Sequence, residues 1–184
     1  MRNEKTRKIV TISMFTAIIV VLQLVATFVR FGAFPITLTL VPIIIAGAVY
    51  GLGMGSLMGL VFGLIVALMV VTGLDPSGAT MLNMHPFITI GVCIVKGVLA
   101  GLASAAVFKA VSPKNKILAL ILAAATAPIV NTGIFYITLI LFFEATFAAM
   151  FSAFISINFI IELLINMLLA PSLIRLLKLR TIEK

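Results

Sequence analysis

The chain has 184 residues, 63% of them hydrophobic and only 10% charged, and its mean hydropathy is +1.34. This composition excludes a soluble domain and specifies an integral membrane protein. The net charge of +8 gathers at segment ends, as in short cytoplasmic loops, so topology rather than nucleic-acid binding accounts for it.

Six apolar segments are predicted, at about 8 to 29, 36 to 51, 54 to 72, 86 to 109, 117 to 143 and 149 to 177. All but the short second approach or exceed the roughly 20 residues that cross a hydrocarbon core of about 30 Å. Backbone groups in lipid must be satisfied within the segment, so each is read as a helix.

The first segment follows Arg2, Lys5, Arg7 and Lys8. It is too long for a signal-peptide core and has no small-x-small exit before Arg30, so it is expected to be retained. Ser13 and Ala17 form a small-x-x-x-small pair on it, facing either the bundle or another protein. Arg30 ends it on the outer side, where it snorkels to the interface or steers anions.

Segments two and three carry Gly47, Gly51, Gly55, Gly59 and Gly63 at every fourth position, and segment four repeats the pattern with Gly97, Gly101 and Ala105. Such rows let helices approach closely in lipid, which predicts a compact bundle. The connector 73 to 85 mixes turn formers with apolar residues and reads as a lid over an outward pocket or as an ordinary loop. His85 precedes Pro86 at the start of segment four; it is the only histidine, so a histidine metal site is not expected. Cys93 is the only cysteine and reads as a small buried hydrophobe.

Lys96 follows in the middle of segment four, and Lys109, Lys114 and Lys116 lie in the next connector. Segment five contributes Asn131 just after Pro128. Segment six carries Asn158, Glu162 and Asn166 at four-residue intervals, a stripe on one helical face. Arg175, Lys178, Arg180 and Lys184 close the chain. Six crossings place all three basic groups on one side, which predicts an all-α, six-helix membrane domain spanning 1 to 184 with both termini cytoplasmic.

Lys96 and Glu162 are the informative residues. A charge near the bilayer centre costs about 2.5 to 3.5 kcal/mol on insertion scales, so it needs a partner, a cavity or a ligand. At about 1.5 Å rise per residue both fall near the midplane. Either they neutralise each other inside the bundle, or they line a polar pocket with Asn131 and Asn158, Lys96 attracting an anionic group.

No G-x-x-x-x-G-K-[ST] phosphate loop, G-x-G-x-x-G fingerprint, G-x-S-x-G, H-E-x-x-H or C-x-x-C motif occurs, so no enzyme chemistry is read from the chain. The stretches PITLTLVPIIIAGAVYGLGMGSLMGLVFGL at 35 to 64, KGVLAGLASAAVFKAV at 96 to 111 and APIVNTGIFYI at 127 to 137 resemble the substrate-specific S components of energy-coupling factor (ECF) transporters. The resemblance covers nearly the whole chain. It implies a six-helix vitamin-binding membrane subunit that works with a transmembrane coupling T subunit and two ATP-binding-cassette ATPases. ATP and Mg then belong to the ATPases, and this chain carries no cofactor. The resemblance further implies binding from outside and toppling in the membrane to release the vitamin inward.

Family members commonly carry an Ala-x-x-x-Ala docking pattern on the first helix, which Ser13 and Ala17 match with one conservative departure. The Gly-rich second and third segments and the VNTG stretch resemble the pantothenate branch, and an anionic vitamin suits Lys96 or Arg30. The implied binding set is Lys96, Asn131, Asn158, Glu162, Arg30 and His85. Riboflavin, folate, hydroxymethylpyrimidine and pyridoxine stay open as substrates. Two other classes also stay open: an ion-coupled carrier titrating Glu162, and a scaffold protein with no ligand.

Overall fold

The computed structural model describes residues 2–28, 30–31, 34–35, 38–143, 157, 159–169 and 172. Helix α1 (Arg2–Phe28) leads into a two-residue antiparallel pair, β1 (Arg30–Phe31) with β2 (Phe34–Pro35). Then follow α2 (Leu40–Tyr50), α3 (Leu52–Val71), α4 (Pro76–Met84), α5 (Pro86–Val111) and α6 (Lys116–Phe142). A last helix, α7, covers Phe159–Leu169.

Among the described residues, four helices are long and apolar enough to cross a membrane: Thr6–Ala26, Leu52–Val71, Pro86–Val111 and Lys116–Phe142. Large apolar side chains such as Ile9, Val21, Leu68, Phe87 and Leu141 point outward from them. On a soluble protein so much exposed apolar surface would drive aggregation; here it meets lipid. The chain is an all-α integral membrane protein.

Local chemistry sets the breaks between helices. Asn115 caps α6, its side chain accepting from the backbone N–H groups of Ile117 (2.9 Å) and Leu118 (3.1 Å). Pro76 and Pro86 each open a helix at the position where a missing N–H costs nothing. The sharp corner between α2 and α3 is Gly51, with φ +89°, a conformation that a side chain would strain.

That corner revises the reading of the glycine row. Gly51 does not continue the stripe; it turns the chain so that Gly47 of α2 and Gly55 of α3 come face to face. The shortness of segment two has the same origin. Its 11-residue helix spans about 16 Å, and Leu40 to Gly47 are all buried, so α2 is an interior helix, apolar on every side.

The connector 73 to 85 is neither an open loop nor a bare turn, since most of it is α4. Asp-Pro at 75 and 76 marks a helix start rather than a turn, because Asp75 takes the N-cap position and Pro76 the first helical one. α4 lies against α3 and α5, and its Met81 packs on Leu139 and Phe143.

The main core joins α1, α2, α3 and α6 through residues such as Phe15, Ile19, Ile43, Met58, Phe62 and Ala124. The seam between α3 and α5 is built differently. A Cβ added to Gly55 would lie 2.7 Å from the Gly101 carbonyl oxygen, and one added to Gly63 would lie 2.7 Å from that of Cys93. Gly59 and Gly97 block each other in the same way. Backbone therefore lies on backbone along about two helical turns.

Candidate functional site

Each face of α5 meets a different neighbour. Gly97 and Gly101 face α3, and Ser104 donates to the Ala123 carbonyl of α6 at 3.0 Å. Lys96, one residue before Gly97, is turned about 100° from the glycine seam by the helical period. Its half-buried side chain places Nζ 4.9 Å from the centre of the Phe135 ring of α6. A cation over an aromatic face gains about 0.5 to 2 kcal/mol, more as water is excluded, so the ring offsets part of the burial cost.

Phe135 belongs to a row. Asn131, Phe135, Leu139 and Phe143 recur every fourth residue along α6 and its C-cap, so they share one face over about 18 Å. Asn131 is 4% exposed, and its Oδ1 has no hydrogen-bond partner among the described residues. Leu139 and Phe143 are buried in one cluster with Met81, and Phe135 and Ile88 pack against it. The exposed His85, at the α4–α5 junction, sets its ring edge-to-face on Phe143 at 5.3 Å. The structure thus brings Lys96, Asn131 and His85 to a common face of α6.

On α7 the stripe is present where it is described. Glu162 is 4% exposed and Asn166 is fully buried. Asn166 donates from Nδ2 to the Glu162 carbonyl oxygen at 2.6 Å. Its Oδ1 has no hydrogen-bond partner among the described residues. A buried acceptor left without a donor costs about 1 to 3 kcal/mol, so Asn131 and Asn166 are two places where a donor would be welcome.

Asn158 lies outside the described residues. Arg30 is in β1, with its backbone paired to Pro35. Ser13 and Ala17 are both exposed on α1, beside Met14, Ile18 and Val21, so this small-residue pair faces away from the bundle.

Sequence reasoning passed over Phe135 and Phe143, whose signal was the four-residue spacing from Asn131. It also passed over a buried polar pair: Thr39 Oγ1 donates to Gln23 Oε1 at 2.7 Å, with Gln23 5% and Thr39 0% exposed. A glutamine inside the first apolar run was the available clue. This bond ties α1 to the residue that begins α2.

Among known proteins, the model of the family described as ECF transporter, substrate-specific component, matches residues 7–174. No curated protein and no solved structure matches the chain.

Proposed function

Because the chain belongs to the ECF transporter substrate-specific component family, we propose that the small molecule it takes up is pantothenate, held on the face of α6 that carries Asn131 and Phe135. Membership makes it a multi-pass plasma-membrane subunit that works with a T subunit and ATPase subunits. On this reading ATP and Mg are bound by the ATPase partners and not by this chain.

The observation that carries the substrate reading is the pairing of a half-buried cation with an orphaned buried acceptor along one face of α6. Lys96 is held at the Phe135 ring, and Asn131, one turn away from that ring, has an Oδ1 that accepts no hydrogen bond among the described residues. Pantothenate has a carboxylate for Lys96, hydroxyl and amide N–H donors for Asn131 and Asn166, and a branched apolar centre for Phe135 and Leu139. Glu162 shares a face of α7 with Asn166, and the exposed His85 stands nearer the outer end, where it meets the incoming solute.

Identification of the small molecule co-purified with the chain, by mass spectrometry, followed by titration across a vitamin panel, tests this. Pantothenate is expected as the tightest ligand. Preference for another vitamin replaces it, and ATP-independent uptake by proteoliposomes containing this chain alone would favour a carrier titrating Glu162.

Docking of the T subunit is assigned to the exposed Ser13 and Ala17, whose small side chains let a partner helix approach α1. Ser13→Trp with Ala17→Trp is expected to lose the T subunit in a pull-down while keeping vitamin affinity. Full retention of the partner removes the assignment.

A further inference from the structure

The inner end of the bundle holds a concavity that the vitamin reading does not use. A groove of about 550 Å³ is lined by Arg7, Lys8 and Thr11 of α1, Tyr50 at the end of α2, and Gly53, Met54 and Leu57 of α3. Its walls differ in chemistry. Two exposed cations and the half-exposed phenol of Tyr50 form the rim, while the buried Met54 and half-buried Leu57 form an apolar floor.

Depth in the membrane follows from the fold. The first apolar span begins at Thr6, so Arg7 and Lys8 lie in its opening turn, at the level of the headgroups. Tyr50, the last residue of α2, stands at the same level, where tyrosine is favoured by an apolar body and a polar tip. Its ring is braced edge-to-face by the buried Phe15 at 6.2 Å, so this wall does not depend on a ligand. The side is the one with the basic segment ends, the cytoplasmic side by the positive-inside pattern.

We infer that this groove is a binding site for the phosphodiester headgroup of an anionic phospholipid of the inner leaflet, with Arg7 and Lys8 on the phosphate and Met54 and Leu57 against the first acyl carbons. Charge complementarity selects an anion, and Arg7 supplies a planar fork that suits phosphate oxygens. The apolar floor selects a lipid over a free anion, because inorganic phosphate gains nothing from Met54 or Leu57. The space beside Gly53 is open, since a Cβ placed there meets nothing within 4 Å, so a long side chain at this position would reach into the groove. The site stands whichever solute the chain carries.

Native mass spectrometry of the full chain, titrated with phosphatidylglycerol, phosphatidylcholine or inorganic phosphate, tests the inference. A basic residue at an anionic surface contributes about fivefold in affinity, so Arg7→Gln with Lys8→Gln is expected to weaken phosphatidylglycerol binding about twenty-fivefold. Lys114→Gln with Lys116→Gln, an equal charge loss in the exposed connector, is expected to change it less than about twofold. Gly53→Leu keeps both cations and fills the groove, and is expected to lose the lipid. Phosphate is expected not to displace it. Equal weakening by the two double variants, undiminished binding by Gly53→Leu, or displacement by phosphate at the same concentration would each overturn the site, the first by reducing it to the general attraction of a basic chain.

Discussion

Helix α5 has two sides that solve opposite problems. Toward α3 it presents Gly97 and Gly101 and lets backbone meet backbone, with no room for a methyl group at either position. Toward α6 it presents Lys96 and Ser104, and across from them lie an aromatic ring and, one turn along α6, a buried amide whose oxygen has no partner among the described residues. The first side is complete as it stands, since every close approach is filled by the partner helix. The second leaves the Asn131 oxygen without a partner among the described residues, and a donor on the proposed solute would meet it. With no hydrophobic driving force between helices in lipid, close packing along the glycine seam supplies association that the other side does not.

The largest effect is expected where the seam is complete. Gly97→Leu would drive a side chain into the backbone of α3, costing about 3 kcal/mol or more, and is expected to abolish the monodisperse peak in detergent gel filtration. Gly91→Leu lies on the same helix where a Cβ meets nothing, and is expected to change the thermal midpoint by the equivalent of less than about 0.5 kcal/mol. Similar damage from both would erase the contrast between the two sides. On the incomplete side, Lys96→Met is expected to weaken pantothenate binding about ten- to a hundredfold, the range for a charged hydrogen bond, with the ligand-free midpoint unchanged or raised. A normal affinity in this folded variant would remove Lys96 from the site.

The two sides also differed in how they read from sequence. The glycine seam was visible because four-residue spacing in three apolar segments has one physical meaning in lipid, close helix packing. Its break at Gly51 was not visible, since a glycine needed for positive φ and one needed for close approach look alike in a string of letters. Lys96 and Asn131 stood out because polar groups in apolar runs demand an explanation. Phe135 and Phe143 did not, being two among 14 phenylalanines, and only the packing of α5 on α6 selects them. α4 was hidden for a third reason: Asp-Pro-Ser-Gly carries turn propensity and helix-start propensity together, and the burial of Met81 between neighbours tips the balance toward helix.

A smaller effect separates structural from solute-binding polarity. Asn131→Leu removes an oxygen that has no hydrogen-bond partner among the described residues, so the ligand-free protein is expected to keep or raise its midpoint, while vitamin affinity falls about tenfold. A lowered midpoint with unchanged affinity would make Asn131 a structural residue and return the α6 face to packing.

The smallest effect belongs to Ser104, buried at 1% exposure and bonded to the Ala123 carbonyl at 3.0 Å. Its acceptor is a helix carbonyl that keeps its own intrahelical bond, so little is orphaned when the hydroxyl goes. Hydrogen bonds between membrane helices average about 0.6 kcal/mol in double-mutant cycles, and Ser104→Ala is expected to lower the thermal midpoint by the equivalent of about that energy, leaving pantothenate affinity untouched. A loss of affinity here, two helical turns from Lys96, would show instead that the solute-binding side depends on the α5–α6 register, and that the incomplete face of α5 is held open by its own polar bond as much as by the glycine seam behind it.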